Sequence, residues 1–281
     1  MAGAPRLTSK RNMLAKRAVS AVVLLIVSFA LVLIGGWVFT IGVALILAIA
    51  SWEFCRMFIQ GGYHPSVPLL IISNFLLAIA ASFQEIELLL GLLAILSLLT
   101  ITYHVLSFPK HVNTSAIDLA ASLAGLTFIG LFGSYLVRLR FLPDGLYWLI
   151  LVVVPAGISD IGAYFFGSLF GRRKLASALS PNKTIEGYLG GLLTSMITGY
   201  TAGAISGMYS ASFSGSQGLL IGFIIGIFCP LGDLGKSVFK RQFNLKHTSN
   251  LIPGHGGVLD RVDTWLWAGV IGYYLVTVFY M

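Results

Sequence analysis

Nine apolar stretches, each close to the length of a membrane-crossing helix, run through this chain, at about 18–34, 37–54, 67–83, 86–106, 116–137, 145–166, 186–209, 216–235 and 263–280. A helix needs about 20 largely apolar residues to cross the roughly 30 Å hydrocarbon core of a bilayer. In water such surfaces would aggregate: of 281 residues, 57% are hydrophobic and only 10% charged, against roughly 25% charged in soluble domains. An aromatic content of 12% excludes disorder as well. The chain is therefore read as an all-α, polytopic transmembrane protein of about nine spans. Cys55 and Cys229 lie far apart in apolar sequence, which excludes a disulfide framework or a zinc-finger spacing.

The basic residues orient the spans. Arg6, Lys10, Arg11, Lys16 and Arg17 precede the first apolar run as in a signal peptide, but no Ala-x-Ala cleavage site follows. The run is read as an uncleaved first span with the N-terminus in the cytoplasm. Under that count, all lysines and arginines except Arg138 and Arg140 fall on the cytoplasmic side, as the positive-inside rule requires. The formal charge of +8 thus reflects topology, and no nucleic-acid partner is expected. Residues 1–145 read as a membrane anchor of about five spans without recognisable chemistry. Residues 146–281 read as a catalytic membrane region of about four spans with a cytoplasmic-face active site, because polar segments at about 167–185 and 236–262 interrupt the apolar pattern.

The chain has ten acidic residues, and Asp160, Glu186, Asp233, Asp260 and Asp263 all fall at or near the cytoplasmic ends of late spans. Acids inside or beside a membrane are expensive and mark ion or substrate sites by default. Helix capping accounts for one such acid more easily than for all five. The segment Ser180-Pro181-Asn182-Lys183-Thr184-Ile185-Glu186 reads as a helix start with Ser180 as N-cap and Pro181 as first helical residue. Lys183 there opposes the helix dipole, which makes sense if a phosphate shares the helix end. Asp233, Ser237, Lys240 and Arg241 would share one helix face. A juxtamembrane patch on anionic lipid is the rival reading for Lys236. Gly254, Gly256 and Gly257 around His255 allow an anion-binding backbone nest, with His255 equally readable as structural. Asp260 and Asp263 then sit one turn apart, flanking Arg261. Hard oxygen ligands suit Mg²⁺. With about five cations nearby, the set points to phosphoryl or nucleotidyl transfer between a soluble nucleotide and a lipid.

Ser237-Val-Phe-Lys240-Arg241, four residues, Lys246, and then Ser249 to Asp263 ending in Pro-Gly-His-Gly-Gly-x-x-Asp-Arg-x-Asp resemble the signature of the phosphatidate cytidylyltransferases. Ser159-Asp160, the block from Ser180 to Gly187, and Gly232-Asp233 match further blocks in order. The resemblance covers roughly residues 155–265 and is highly specific. It implies synthesis of CDP-diacylglycerol and pyrophosphate from CTP and phosphatidic acid, with one or two Mg²⁺ ions, in the bacterial inner membrane, and a homodimer is what the family suggests. Carried over, Asp233 and Asp260 look like metal ligands, with Asp160 and Asp263 in support. Lys183, Lys240, Arg241, Lys246 and Arg261 would hold the triphosphate and lipid phosphate, with Glu186 in the catalytic set. Ser237, His255, Gly256 and Gly257 would join in substrate binding. Two positions depart from the pattern: His247 stands where an Asp usually follows Lys246, and Lys236 where an acid is frequent. Alternative readings are a CTP-dependent transferase for another lipid phosphate, such as an ether-linked archaeal precursor, an ion-coupled transporter, and a lipid-binding scaffold.

Overall fold

Long apolar runs leave the backbone no partner but itself in a bilayer, and helix is the form that satisfies every N–H and C=O within one segment. The computed structural model describes residues 22–23, 25–243, 245, 248–249, 251–252 and 256–280. Lys246, His247, His255 and the basic N-terminal segment lie outside the described residues. The helices are α1 (Leu25–Ile34), α2 (Gly36–Gln60), α3 (Val67–Ala81), α4 (Ile86–Ser107), α5 (Ser115–Gly125), α6 (Phe132–Phe141), α7 (Gly145–Phe170), α8 (Ile185–Gly207), α9 (Gly215–Phe228), α10 (Pro230–Gln242) and α11 (Leu259–Phe279). A stretch of π-helix, Leu126–Leu131, joins α5 to α6. The all-α expectation holds, with one antiparallel hairpin of β1 (Lys174–Ala176) and β2 (Ser180–Thr184) between α7 and α8.

Among the described residues, six helical runs are long and apolar enough to cross a membrane: Gly36–Gln60, Ile86–Lys110, Ser115–Phe141, Gly145–Phe170, Gly215–Gln242 and Leu259–Phe279. Lipid-facing side chains such as Leu98, Leu106 and Ile161 stand exposed on them. The protein is an integral membrane protein. Three of the nine expected spans are not among the six: the run at 18–34, whose described helix is α1, and two others. The run at 67–83 is α3, of 15 residues, or about 22 Å at 1.5 Å per residue. The run at 186–209 is α8, long enough at 23 residues but diluted by Gly, Ser and Thr. The run expected at 216–235 lies within the helical run Gly215–Gln242, interrupted only at Cys229 between α9 and α10, because Pro230 offers no N–H to the preceding turn.

α8 and α9 pack backbone to backbone. Gly199 and Gly203 of α8 face Gly218 and Gly222 of α9, and a Cβ at Gly199 or Gly218 would overlap the other's carbonyl. Small residues at four-residue spacing permit this approach between membrane helices. Gly218→Val is therefore expected to destabilise the protein by at least about 2 kcal/mol, seen as a lower Tm in detergent. An unchanged Tm would mean that the two backbones separate at no cost.

Two ends of the molecule are distinct. At one, Arg138 donates to the Gln84 carbonyl (3.3 Å) and Arg140 to the Val32 carbonyl (3.1 Å). From there α7 runs its 26 residues, about 39 Å, to the hairpin at the other end. An aromatic seam fixes α10 against α2 there, with Phe54 on Phe239 (5.2 Å between ring centres) and Phe58 on Phe243 (4.9 Å).

Candidate active site

The hairpin corrects the expected helix start. Ser180–Thr184 is a strand paired with Lys174–Ala176, and α8 begins at Ile185 with Thr184 as its N-cap, the Thr184 hydroxyl accepting from Gly187 N–H at 3.1 Å. Ser180 and Pro181 are thus outside the helix. Thr184 caps as well as Ser180 would, and pairing with β1 commits the preceding residues to extended backbone. Lys183 then sits just before the cap, still beside the positive end of the helix, and its Nζ meets Asp233 Oδ2 at 2.9 Å, which offsets that repulsion. Glu186 accepts from the backbone N–H groups of Arg172 (3.0 Å) and Arg173 (3.2 Å), so it ties down the base of the hairpin outside the cavity. Arg241 donates from Nε to the Leu179 carbonyl at 2.8 Å and pins the hairpin tip to α10.

Asp160 lies two to three turns inside α7, which continues to Phe170; the span does not end before it. Its Oδ2 accepts from the Thr264 hydroxyl at 3.1 Å, linking α7 to α11. Asp260 and Asp263 project from the first turns of α11. Asp160, Lys183, Asp233, Asp260, Arg261 and Asp263 all line one cavity of about 500 Å³. Tyr164 lines it too and is largely exposed on the flank of α7, so the cavity reaches the lipid-facing side of the bundle.

The centre of the acidic cluster holds a side chain. Lys236, 2% exposed, places its Nζ 3.1 Å from Asp233 Oδ1, 3.1 Å from Asp260 Oδ1, and in contact with Asp263 Oδ2. It is no lipid-facing basic patch. Lys240 Nζ adds a second contact to Asp260 Oδ1 at 3.1 Å. Ser237 turns away, its hydroxyl donating to the Asp233 carbonyl of its own helix at 2.8 Å, as mid-helix serines often do. Among the described residues, Asp160, Asp233, Asp260 and Asp263 are matched by Lys183, Lys236, Lys240 and Arg261. No group of three acids, His or Cys arranged to hold a metal ion occurs among them. Mg²⁺ demands oxygens at about 2.0–2.1 Å in octahedral array, and the ammonium takes the point where such oxygens would converge. The expected ligands, as arranged here, do not fit a resident divalent ion at this centre.

The glycine turn before α11 contributes through its backbone. Gly256 has a φ of +83°, a conformation that side chains resist, and bridges to Ile252. Gly257 N–H donates to Asp260 Oδ2 at 3.3 Å, and a Cβ on Gly257 would collide with Thr248 and Glu53.

Glu53 is the residue that sequence reasoning missed. It comes from α2, in the region read as anchor, and is fully buried. Its carboxylate accepts from Ser249 Oγ (2.5 Å), Thr248 Oγ1 (3.2 Å), Val258 N (2.9 Å) and Leu259 N (2.8 Å). It therefore caps α11, where an anion is favoured, and anchors the turn that carries Asp260. The Thr248 hydroxyl stands between Glu53 Oε2 and Asp260 Oδ2 (3.1 Å). A lone acid within an apolar run was the available signal.

Comparison with known proteins bears on this arrangement. Residues 15–279 match the model of the cytidylyltransferase family. The phosphatidate cytidylyltransferase of Bacillus subtilis (strain 168) is 33% identical over 94% of this chain and 98% of its own length. That of Synechocystis sp. (strain ATCC 27184 / PCC 6803 / Kazusa) is 31% identical over 93% and 96%, and that of Staphylococcus haemolyticus (strain JCSC1435) 32% over 89% and 94%. With a buried cluster of acids and cations on a cavity that meets the lipid-facing flank, and with likeness along nearly its whole length, the chain belongs to the cytidylyltransferase family.

Proposed function

We propose that this protein joins CTP to phosphatidic acid, yielding CDP-diacylglycerol and pyrophosphate, at the cavity between α7, the hairpin, α10 and α11. The observation that carries the reading is that one cavity, bordered by Tyr164 on the lipid-facing flank, gathers Asp160, Lys183, Asp233, Asp260, Arg261 and Asp263. The names of the relatives agree with it.

Phosphatidate is a phosphate monoester with a second pKa near 6, so near neutral pH it is largely a dianion and needs no catalytic base. One of its oxygens attacks the α-phosphorus of CTP, and the bond from that phosphorus to the bridging β-phosphate oxygen breaks. Pyrophosphate leaves with that electron pair, and no proton changes hands. The barrier is the approach of two polyanions, so the chain's contribution is positioning and charge. Lys183 and Arg261 border the cavity and meet phosphate oxygens. Asp233 holds Lys183 in place from below, and Asp260 does the same for Lys240. The acyl chains stay in lipid beside α7 while the headgroup enters. Mg²⁺ arrives with the CTP triphosphate, as part of the substrate. The cavity faces the cytoplasm, where CTP is found, and the protein sits in the bacterial inner membrane.

Purified protein with labelled CTP, Mg²⁺ and a panel of lipid phosphates tests this. CDP-lipid should form with phosphatidate and release pyrophosphate one for one. Product only with an ether-linked lipid phosphate would reassign the substrate, and no CDP-lipid with any of them would refute transfer.

A further inference from the structure

We propose that Lys236 is a resident cation of the site: its ammonium fills the centre of the Asp233, Asp260 and Asp263 triad in place of a divalent ion. This rests on the cavity being the reaction site only for its catalytic consequence, and the geometry stands apart from it. An ammonium has three N–H donors, and three separate carboxylates stand within ion-pair distance of this one. At 2% exposure the side chain is closed off from solvent. Lys236 is thus a positioning residue and makes no contact in the cavity. Two of the cage oxygens stand 3.1 Å from Nζ, the radius of an ammonium cage and about an ångström wider than Mg²⁺ accepts.

Charge leads to the same conclusion. Three carboxylates this close repel one another unless a cation shares the space. Lys236 supplies it from a helix that also carries Asp233, one turn away at i,i+3. Lys240 and Lys183 then neutralise the outward faces of Asp260 and Asp233, so three lysines balance the three carboxylates of the cage. The consequence is a site that keeps its shape without metal and meets a divalent ion only as the counter-ion of a nucleotide.

Mn²⁺ titration of the detergent-solubilised full chain, without nucleotide and read by EPR, tests this apart from any transferase activity. Wild type should leave the free-ion signal intact at micromolar Mn²⁺. Lys236→Met keeps the bulk but removes the charge, and should bind one Mn²⁺ per chain at least about a hundredfold more tightly. Its Tm should fall without metal and recover on adding Mn²⁺, a rescue that a merely structural lysine would not show. Stoichiometric Mn²⁺ binding by wild type overturns the proposal whatever the variant does. So does a folded Lys236→Met chain that binds no Mn²⁺. CDP-lipid synthesis by a wild type that also binds Mn²⁺ tightly would sink this inference while leaving the proposed function standing.

Discussion

Asp260→Asn is expected to lower CTP- and phosphatidate-dependent pyrophosphate release by roughly a thousandfold, with the protein still folded in detergent. The carboxylate works on both sides. Oδ1 accepts from Lys236 and Lys240, and Oδ2 accepts from Thr248 N (3.0 Å), Thr248 Oγ1 (3.1 Å) and Gly257 N (3.3 Å). An asparagine can keep one acceptor, but its NH₂ must then point at donors. If the oxygen stays toward the backbone amides, the NH₂ faces two ammonium groups. Removing one partner of a buried ion pair costs about 3–5 kcal/mol, and at about 1.4 kcal/mol per factor of ten that loss reaches the stated scale if it falls on the transition state. Comparing turnover with Tm separates the alternatives. Turnover near that of wild type in a folded Asp260→Asn protein would remove Asp260 from the reaction site.

Glu53→Ala is the second large effect, and it is one of architecture. The substitution orphans two backbone N–H groups at the start of α11 and the Ser249 hydroxyl, while the Thr248 hydroxyl keeps Asp260 as an acceptor. The expected cost is about 3–5 kcal/mol. Amide exchange across 248–259 should rise in step with loss of activity, because Asp260 is aimed by the turn that Glu53 holds. Glu53→Gln should fall between the two, since one amide oxygen can still accept while its NH₂ meets donors. Exchange in 248–259 unchanged by Glu53→Ala would show that the loop is held by other contacts.

These two residues also mark how far the chain could be read in advance. Asp260 was visible because acids near membrane ends are rare and the signature around it is dense. Asp160, Lys183, Asp233, Arg261 and Asp263 were visible on the same grounds, and they do border one cavity. Glu53 was present in the sequence but silent, since its partners lie about 200 residues away and periodicity reports only on near neighbours. Ser237, Arg241 and Glu186 were legible as polar residues in a functional segment, yet their side chains bind backbone carbonyls or amides of the protein itself. Residue type and spacing say that a group is available, and only its surroundings say which atom it bonds. Ser180 shows the same limit on a smaller scale: two capping residues four positions apart are equivalent locally, and the pairing of β2 with β1 decided for Thr184.

The amino-acid order alone determined that this is a helical membrane protein, and it marked most of the acids and cations that border the cavity, all of them after about residue 155. Those follow from hydropathy, charge and local spacing, which act over a few helical turns. Tertiary packing decided what lies at the middle of the acids. Lys236 could have lain on the lipid surface or among the carboxylates. The seam of Phe54, Phe58, Phe239 and Phe243 seats α10 against α2, and with α10 seated the ammonium finds three carboxylates within reach. Electrostatics between side chains of different helices depends on distances that no stretch of sequence contains.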